Sequence, residues 1–425
     1  LSGSHDLRRV KADARRRPLW VESARDEGEV GSSIADLNRD GRTIVLTIDK
    51  AIQSFVEIEL KRVIEKYEAK GVIGIVMDPR TGEVLAMANL PAYDPNNYGD
   101  YPAEARRNRA ITDPYEPGST FKAFVAAAAL AKGVVKMEEQ IHCGNGVWRY
   151  RSRTINDHHP YGRLSLQDIV VKSSNVGMAK LGVRLGDERL RQAVLDFGFG
   201  SKTGILLSGE NAGVVQSAQK WSYWTTTSVP FGHEIMVTPL QLVTAFSVFA
   251  NGGKLLKPRI VRGILDTRGR LVADLAGKPE VVSQVMPEPL ANAFRDEVLV
   301  EVVERGTGRQ CKISGYKVFG KTGTAQKLAP PGSAESGNGY SHELYVGSFI
   351  AGAPAEAPRL VVLVAVDEPN KSKGYYGGTV AAPAVRAILE QTLAYLGVRP
   401  QGAVAGSRRP SWDPQTRLAS DGSTR

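Results

Sequence analysis

The order of elements along the chain limits its architecture more than any single residue does. An amphipathic helix starts at Asp49, with Ile52, Phe55, Val56, Leu60, Val63, Ile64 and Tyr67 at helical spacing. Two strands are expected over 71–77 and 84–88, joined by the turn Asp78-Pro79-Arg80-Thr81-Gly82. A largely helical stretch follows, over about 108–250. The chain then returns to strands over 316–319, 345–351 and 360–367. It closes on a helix over 382–396 that offers Val385, Ile388, Leu389, Leu393 and Leu396 for burial. This order predicts an α+β fold: an antiparallel sheet flanked by helices, with a largely helical subdomain inserted between its two halves. A site built from both parts would lie between sheet and insert.

Three short segments carry chemistry. Ser119 and Lys122 stand at the start of a helical run, in Glu116-Pro117-Gly118-Ser119-Thr120-Phe121-Lys122. Gly118 permits a tight turn, and side chains at i and i+3 share a helix face, so Lys122 is expected to reach Ser119. A serine hydroxyl is a poor nucleophile until a base removes its proton. For a lysine to be half neutral at pH 7, its charged form must be disfavoured by about 4 kcal/mol. Burial and a second cation supply that, and Lys321 is the candidate cation. In Ser173-Ser174-Asn175, Ser173 can relay a proton to a leaving amine, and Asn175 can orient Lys122 or a substrate amide. Lys321-Thr322-Gly323-Thr324 is expected to end the 316–319 strand. There Gly323 would admit a substrate backbone along the edge, while Lys321 and the Thr322 and Thr324 hydroxyls suit a carboxylate. The backbone N–H groups of Ser119 and Thr324 are the expected oxyanion hole, where one lost donor costs about 100- to 1,000-fold in rate. Each segment alone has a plainer reading, as an N-cap, a solvated face, a turn or a strand end. Their order and wide separation favour the catalytic one.

In that order the three segments are the active-site motifs of the penicillin-recognising serine acyltransferases. The chain resembles the transpeptidase domain of the class B, monofunctional penicillin-binding proteins, and most of all the division-specific penicillin-binding protein 3 type. The likeness runs over about 46–396. It includes Leu46-Thr47-Ile48-Asp49, Asn108-Arg109-Ala110-Ile111-Thr112-Asp113, Val237-Thr238-Pro239-Leu240-Gln241-Leu242 and Tyr375-Tyr376-Gly377-Gly378. The resemblance implies the penicillin-binding-protein transpeptidase fold, shared with serine β-lactamases. It also implies an enzyme whose serine is acylated by a peptidoglycan stem peptide ending in D-Ala-D-Ala. The terminal D-alanine leaves, and a neighbouring stem's amine takes the acyl group. β-Lactams would trap Ser119, with Lys122, Ser173, Asn175 and Lys321 as its catalytic partners. Thr322, Gly323, Thr324 and Tyr376 would bind substrate or drug. Partners implied are a membrane glycosyltransferase and divisome proteins, with no cofactor.

The same resemblance makes 1–43 the remnant of an N-terminal pedestal domain and 44–398 the transpeptidase domain; composition gives 399–425 as a disordered tail. The chain, which lacks the family's anchor, is expected to be a fragment of a membrane-anchored protein whose catalytic domain is extracytoplasmic. Three rivals remain. A D,D-carboxypeptidase differs only in using water as acceptor. A class A β-lactamase would need Glu-x-x-Leu-Asn, and Leu207-Ser208-Gly209-Glu210-Asn211 lacks that spacing. A penicillin sensor or divisome scaffold would not need Ser119, Lys122 and Lys321 together.

Composition narrows the field further. The 425 residues are 42% hydrophobic and 24% charged, as in ordinary globular proteins, and no apolar run of membrane-spanning length occurs. The net charge of +10 is dispersed apart from the cluster Arg8, Arg9, Lys11, Arg15, Arg16 and Arg17, and no nucleic-acid motif accompanies it. Cys143 and Cys311 are expected to be free thiols, and no residues have metal-site spacing. His233 stands where family members often carry Gln or Tyr, and is expected to be structural. The stretch 326–342 is expected to be a mobile loop beside the site, with Tyr340 a candidate for the pocket lining.

Overall fold

The computed structural model describes residues 42–275, 279–330, 332 and 339–401. The expected pedestal remnant (except 42 and 43), the basic cluster, the tail beyond 401 and residues 331 and 333–338 of the expected loop lie outside them.

Helix α1 (Lys50–Tyr67) begins where predicted, because the Asp49 carboxylate accepts from the backbone N–H groups of Ala51 and Ile52. Strands β1 (Gly71–Asp78) and β2 (Glu83–Leu90) follow. The insert contributes α2 (Lys122–Ala131), α3 (Leu166–Val171), α4 (Asn175–Leu185) and α5 (Pro239–Phe246). Strands β3 (Phe319–Leu328), β4 (Tyr340–Ala353) and β5 (Leu360–Asp367) follow the insert, and helix α6 (Ala382–Tyr395) comes after them. The five strands form one antiparallel sheet in the order β3-β4-β5-β1-β2.

Every residue of β1 and β5 is buried, because both faces are covered. Val72, Val76, Val362, Val364 and Val366 pack with α1 and α6, while Ile73, Ile75, Met77, Val361 and Leu363 join the core of the helical subdomain. This alternation is the period of two expected of strands. Gly74 lets α1 approach: a Cβ there would meet Val56 Cγ1 at 2.7 Å.

Two boundaries differ from the sequence reading. The expected strand over 316–319 is instead a turn closed by an Ile313–Tyr316 bridge, and β3 starts only at Phe319. The Lys-Thr-Gly-Thr segment is therefore inside the strand rather than at its end. Pairing with the 14-residue β4 decides this, from Phe319↔Gly352 through Thr324↔Gly347 and beyond. The insert is also less helical than expected, with short paired strands Val147–Tyr150 and Arg153–Asn156 ahead of α3. Strands of four residues are too short to show a period. Cys143 and Cys311 are free and buried in separate cores. Among the described residues no helix is long and apolar enough to cross a membrane.

Candidate active site

β3 is an edge strand, paired only with β4, and its free side meets the turn that carries Ser119. Gly118 has φ +55, and residues Gly118–Phe121 make a 3₁₀ turn that runs into α2. The turn is pressed between two backbones. Gly118 N–H donates to Gly232 O at 3.1 Å, and a Cβ on Gly232 would meet Gly118 O at 2.1 Å. On the other side, a Cβ on Gly118 would meet Thr324 O at 2.7 Å. Ser119 is half-buried and lies inside the turn, so it is not the N-cap of the plainer reading.

Lys122 and Lys321 are both fully buried. Lys122 Nζ donates to Ser173 O at 2.6 Å, Asn175 Oδ1 at 2.7 Å and Ser173 Oγ at 3.1 Å. Lys321 Nζ donates to the same Ser173 Oγ at 3.2 Å and to Thr322 O at 3.2 Å. One hydroxyl thus bridges the side-chain nitrogens of both lysines. Ser173 reaches this position with φ +59, a left-handed conformation that costs a non-glycine residue free energy. Burial drives the Lys122 pKa well below the ordinary lysine value; the Lys321 charge pushes it further down and Asp157 opposes this. Burial also brings Lys321 down to about 7. The sequence reading anticipated both causes.

It had Asn175 orient Lys122, but it did not foresee that Ser173 would take the other two hydrogen bonds in place of Ser119. All three hydrogen bonds reach the Ser173–Asn175 segment, and none among the described residues joins Lys122 to Ser119. An ammonium has three protons to place, and the Ser173 segment supplies three acceptors. A neutral Lys122, one proton short, can release one acceptor and turn a lone pair to Ser119.

Asp157 was missed entirely. Its carboxylate accepts from Ser174 Oγ at 2.7 Å, Asn175 N–H at 2.5 Å and Val176 N–H at 3.0 Å, capping α4 from another part of the chain. The sequence carried no signal for it, since the short strand that leads to it shows no period. Asp157→Ala is expected to destabilise the protein by about 2–3 kcal/mol, since it leaves two helix N–H groups without their charged acceptor. β-Lactam acylation should fall as Ser173 and Asn175 lose their support. Urea unfolding and acylation kinetics on the same preparation check both; an unchanged rate would separate Asp157 from the site.

On β3, Lys321 and Gly323 lie on the face that meets the serine turn. A Cβ on Gly323 would meet Ser348 Oγ at 2.4 Å, Thr120 Cγ2 at 2.7 Å and Pro117 O at 2.9 Å. The glycine therefore serves close packing of the serine turn, a different reason from the open edge expected. Thr322 and Thr324 lie on the other face, beside residues 376–378. The Thr322 hydroxyl is buried 2.6 Å from that of Thr307, and Thr324 Oγ1 accepts from Gly377 N–H at 3.1 Å.

At the mouth, Tyr376 is 46% exposed, stacks on Tyr375 and meets the His158 ring edge-on. Tyr340 braces the serine turn: its hydroxyl donates to Glu116 Oε1 at 2.9 Å, and its ring stacks on His233. Glu116 also accepts from Glu234 N–H at 2.8 Å. Burial raises Glu116 to about 7 and lowers His233 to about 4. His233 is thus a packed, neutral ring at pH 7. A cavity of about 330 Å³ opens behind Glu116, between Asp113–Glu116 and Ala325–Leu328, but none of the catalytic candidates lines it.

Residues 72–390 match the penicillin binding protein transpeptidase domain. The chain belongs to the class B penicillin-binding-protein transpeptidases. The chain is 37% identical over 366 residues to stage V sporulation protein D of Bacillus subtilis, covering 85% of this chain and 55% of that protein. It is 33% identical over 399 residues to the peptidoglycan D,D-transpeptidase FtsI of Escherichia coli, covering 90% and 63%. Among solved structures, penicillin binding protein 3 of Mycobacterium tuberculosis, complexed with aztreonam, aligns with TM-score 0.76 and 32% identity over 85% of this chain and 81% of that one. The apo transpeptidase domain of Burkholderia pseudomallei penicillin-binding protein 3 aligns with TM-score 0.72 and 30% identity over 88% and 100%. The chain spans 55–58% of the length of the first curated relatives it matches.

Proposed function

We propose that this chain is the catalytic part of a peptidoglycan D,D-transpeptidase that crosslinks stem peptides through an acyl-enzyme on Ser119. The observation that carries this reading is the Ser173 hydroxyl held between two buried lysines. Neutral Lys122 takes the proton of Ser119 as Oγ attacks the carbonyl of the penultimate D-alanine. The backbone N–H groups of Ser119 and Thr324 receive the developing oxyanion. When the C–N bond breaks, Ser173 passes a proton from Lys122 to the amine of the leaving D-alanine, and Asn175 keeps Lys122 and the substrate amide oriented. The free edge of β3 is suited to an extended peptide. Lys321 and the Thr324 hydroxyl attract the terminal carboxylate, with Thr322 and Gly323 shaping the strand and Tyr376 covering the mouth. The acceptor amine then attacks the ester, and Ser119 recovers its proton.

β-Lactams would acylate Ser119 in the same way. That penicillin binding protein 3 of Mycobacterium tuberculosis was solved with aztreonam and with ampicillin supports this. The likeness to FtsI supports a septal role, beside a membrane glycosyltransferase and divisome proteins, with the parent protein anchored in the cell membrane and this part outside the cytoplasm. The test is a stem pentapeptide ending in D-Ala-D-Ala, incubated with an amine acceptor, alongside intact-mass analysis after benzylpenicillin. We expect D-alanine release, a new amide product, and one drug mass per chain mapped to the Ser119 peptide. Release without the amide would mean a carboxypeptidase. Drug consumed without an adduct would mean a β-lactamase, and intact drug without an adduct a scaffold.

A further inference from the structure

Arg153 occupies the first position of the short strand Arg153–Asn156, and its guanidinium is only half committed to the protein. Nη1 lies at 2.5 Å from Ser228 Oγ, 2.9 Å from Thr227 Oγ1 and 3.0 Å from Trp224 O. The plane rests against two rings, 5.1 Å from the Trp224 centroid and 5.6 Å from that of Phe231. Nε and Nη2 have no acceptor among the described residues and are not sealed from solvent. No carboxylate among the described residues forms an ion pair with it. Neighbouring Arg151 repeats the arrangement on the outside, 5.0 Å from the Tyr223 centroid.

Two backbone connections put this guanidinium on the rim of the cleft. Phe231, on which it rests, precedes Gly232, whose carbonyl accepts from Gly118 N–H beside the nucleophile candidate. The strand itself leads to Asn156, whose carbonyl accepts from Asn175 Nδ2 at 3.1 Å, and then to Asp157. A guanidinium pinned through one nitrogen and stacked on aromatic rings loses little freedom on binding. Its remaining donors match the two oxygens of a carboxylate. Its surroundings already disfavour the unpaired charge: burial lowers its pKa, against the weaker pull of Glu234 and Tyr340. A purely structural arginine is normally paired with an acid when half-buried.

We infer that Arg153 is a specificity-determining residue that receives a second carboxylate of the ligand, beyond the terminal one drawn to Lys321. That carboxylate belongs to the side-chain portion of a stem peptide or of a β-lactam. This inference rests on acylation of Ser119, and the test separates the two. Benzylpenicillin and carbenicillin share the thiazolidine carboxylate and differ by one further carboxylate on the side chain. Their second-order acylation rate constants are measured for the wild type, Arg153→Gln and Arg153→Lys at two ionic strengths.

We expect the carbenicillin-to-benzylpenicillin ratio to fall about tenfold or more in Arg153→Gln, the size of a lost charge-assisted hydrogen bond. Arg153→Lys, which keeps charge but not the planar fork, should fall between. In the wild type the ratio should drop as salt rises. A ratio unchanged by substitution would overturn the inference, and would leave Arg153 as a brace for residues 224–228. If Arg153→Gln fails to fold, the lysine variant and the wild-type salt dependence decide, and a salt-insensitive ratio would overturn it. Absence of any benzylpenicillin adduct on the wild type would instead overturn the Ser119 reading. A matched pair of stem peptides, with the side-chain carboxylate free or amidated, tells whether the natural ligand uses the same contact: equal transfer rates for the pair would refute it for the substrate.

Discussion

Ser119→Ala is expected to form no covalent β-lactam adduct while folding as stably as the wild type. The Ser119 hydroxyl forms no hydrogen bond among the described residues, so its removal orphans no partner. Had Ser119 been an N-cap, alanine would cost about 1 kcal/mol. In the turn that the chain actually makes, the methyl group of alanine fits a half-buried position and the melting temperature should stay level or rise. Reversible binding of the drug should persist, because Lys321 and Thr324 are untouched. Intact-mass spectrometry and thermal melts on one preparation decide the matter. Any residual stoichiometric adduct would mean another nucleophile, and a clear loss of stability with the adduct intact would return Ser119 to a structural role.

What the sequence disclosed was chiefly local. Ser119 and Lys122 were legible because their relation is one helical turn, and a turn depends on neighbours that the sequence lists in order. The strands β1 and β5 were legible for the same reason, as continuous apolar runs, although their cover on both faces was read only from the structure. Lys321 could be nominated as the second cation from residue type and motif order alone. The contacts that tune the site were not legible, because each joins distant segments. Lys122 meets the Ser173 carbonyl and hydroxyl across 51 positions, and Thr322 meets Thr307 rather than open solvent. Asp157 caps a helix to which it does not belong, so no capping pattern within α4 could reveal it.

The β3 boundary failed for a related reason. Lys-Thr-Gly-Thr has the glycine and the charge of a strand end, and only the long partner β4 carries it as strand interior. Gly323 shows how a correct residue can be assigned the wrong cause. Its missing side chain admits the protein's own serine turn, which no reading of the motif by itself could supply. Arg153 was invisible as well, because its meaning depends on Trp224 and Phe231 lying against it.

Lys122→Met is expected to lower the acylation rate by about 100- to 10,000-fold, the range for loss of a positioned general base. Methionine approximates the volume without a lone pair that can take the Ser119 proton. The substitution also leaves Ser173 O and Asn175 Oδ1 without their donor, so a purely structural lysine would predict a loss too. Lys122→Arg separates the two roles. Arginine can keep donors near the Ser173 segment, but its proton is not removable in this range. As a base Lys122 is therefore not replaced by arginine, whereas as a brace it partly would be. The pH dependence supplies a further sign. Acid converts the Lys122 amine to ammonium, so wild-type acylation should fall with acid, on a limb lying below the ordinary lysine range because burial and Lys321 disfavour the charge. Between that lowered value and the ordinary one the unfolded chain binds more protons than the folded one. Wild-type stability therefore gains a contribution that grows as pH rises through the window. Lys122→Met lacks it, so the variant's stability relative to wild type should be greatest at low pH and should shrink towards high pH. A wild-type rate in Lys122→Arg, or a stability difference independent of pH, would mean that Lys122 stays charged in the folded protein and that another group takes the Ser119 proton.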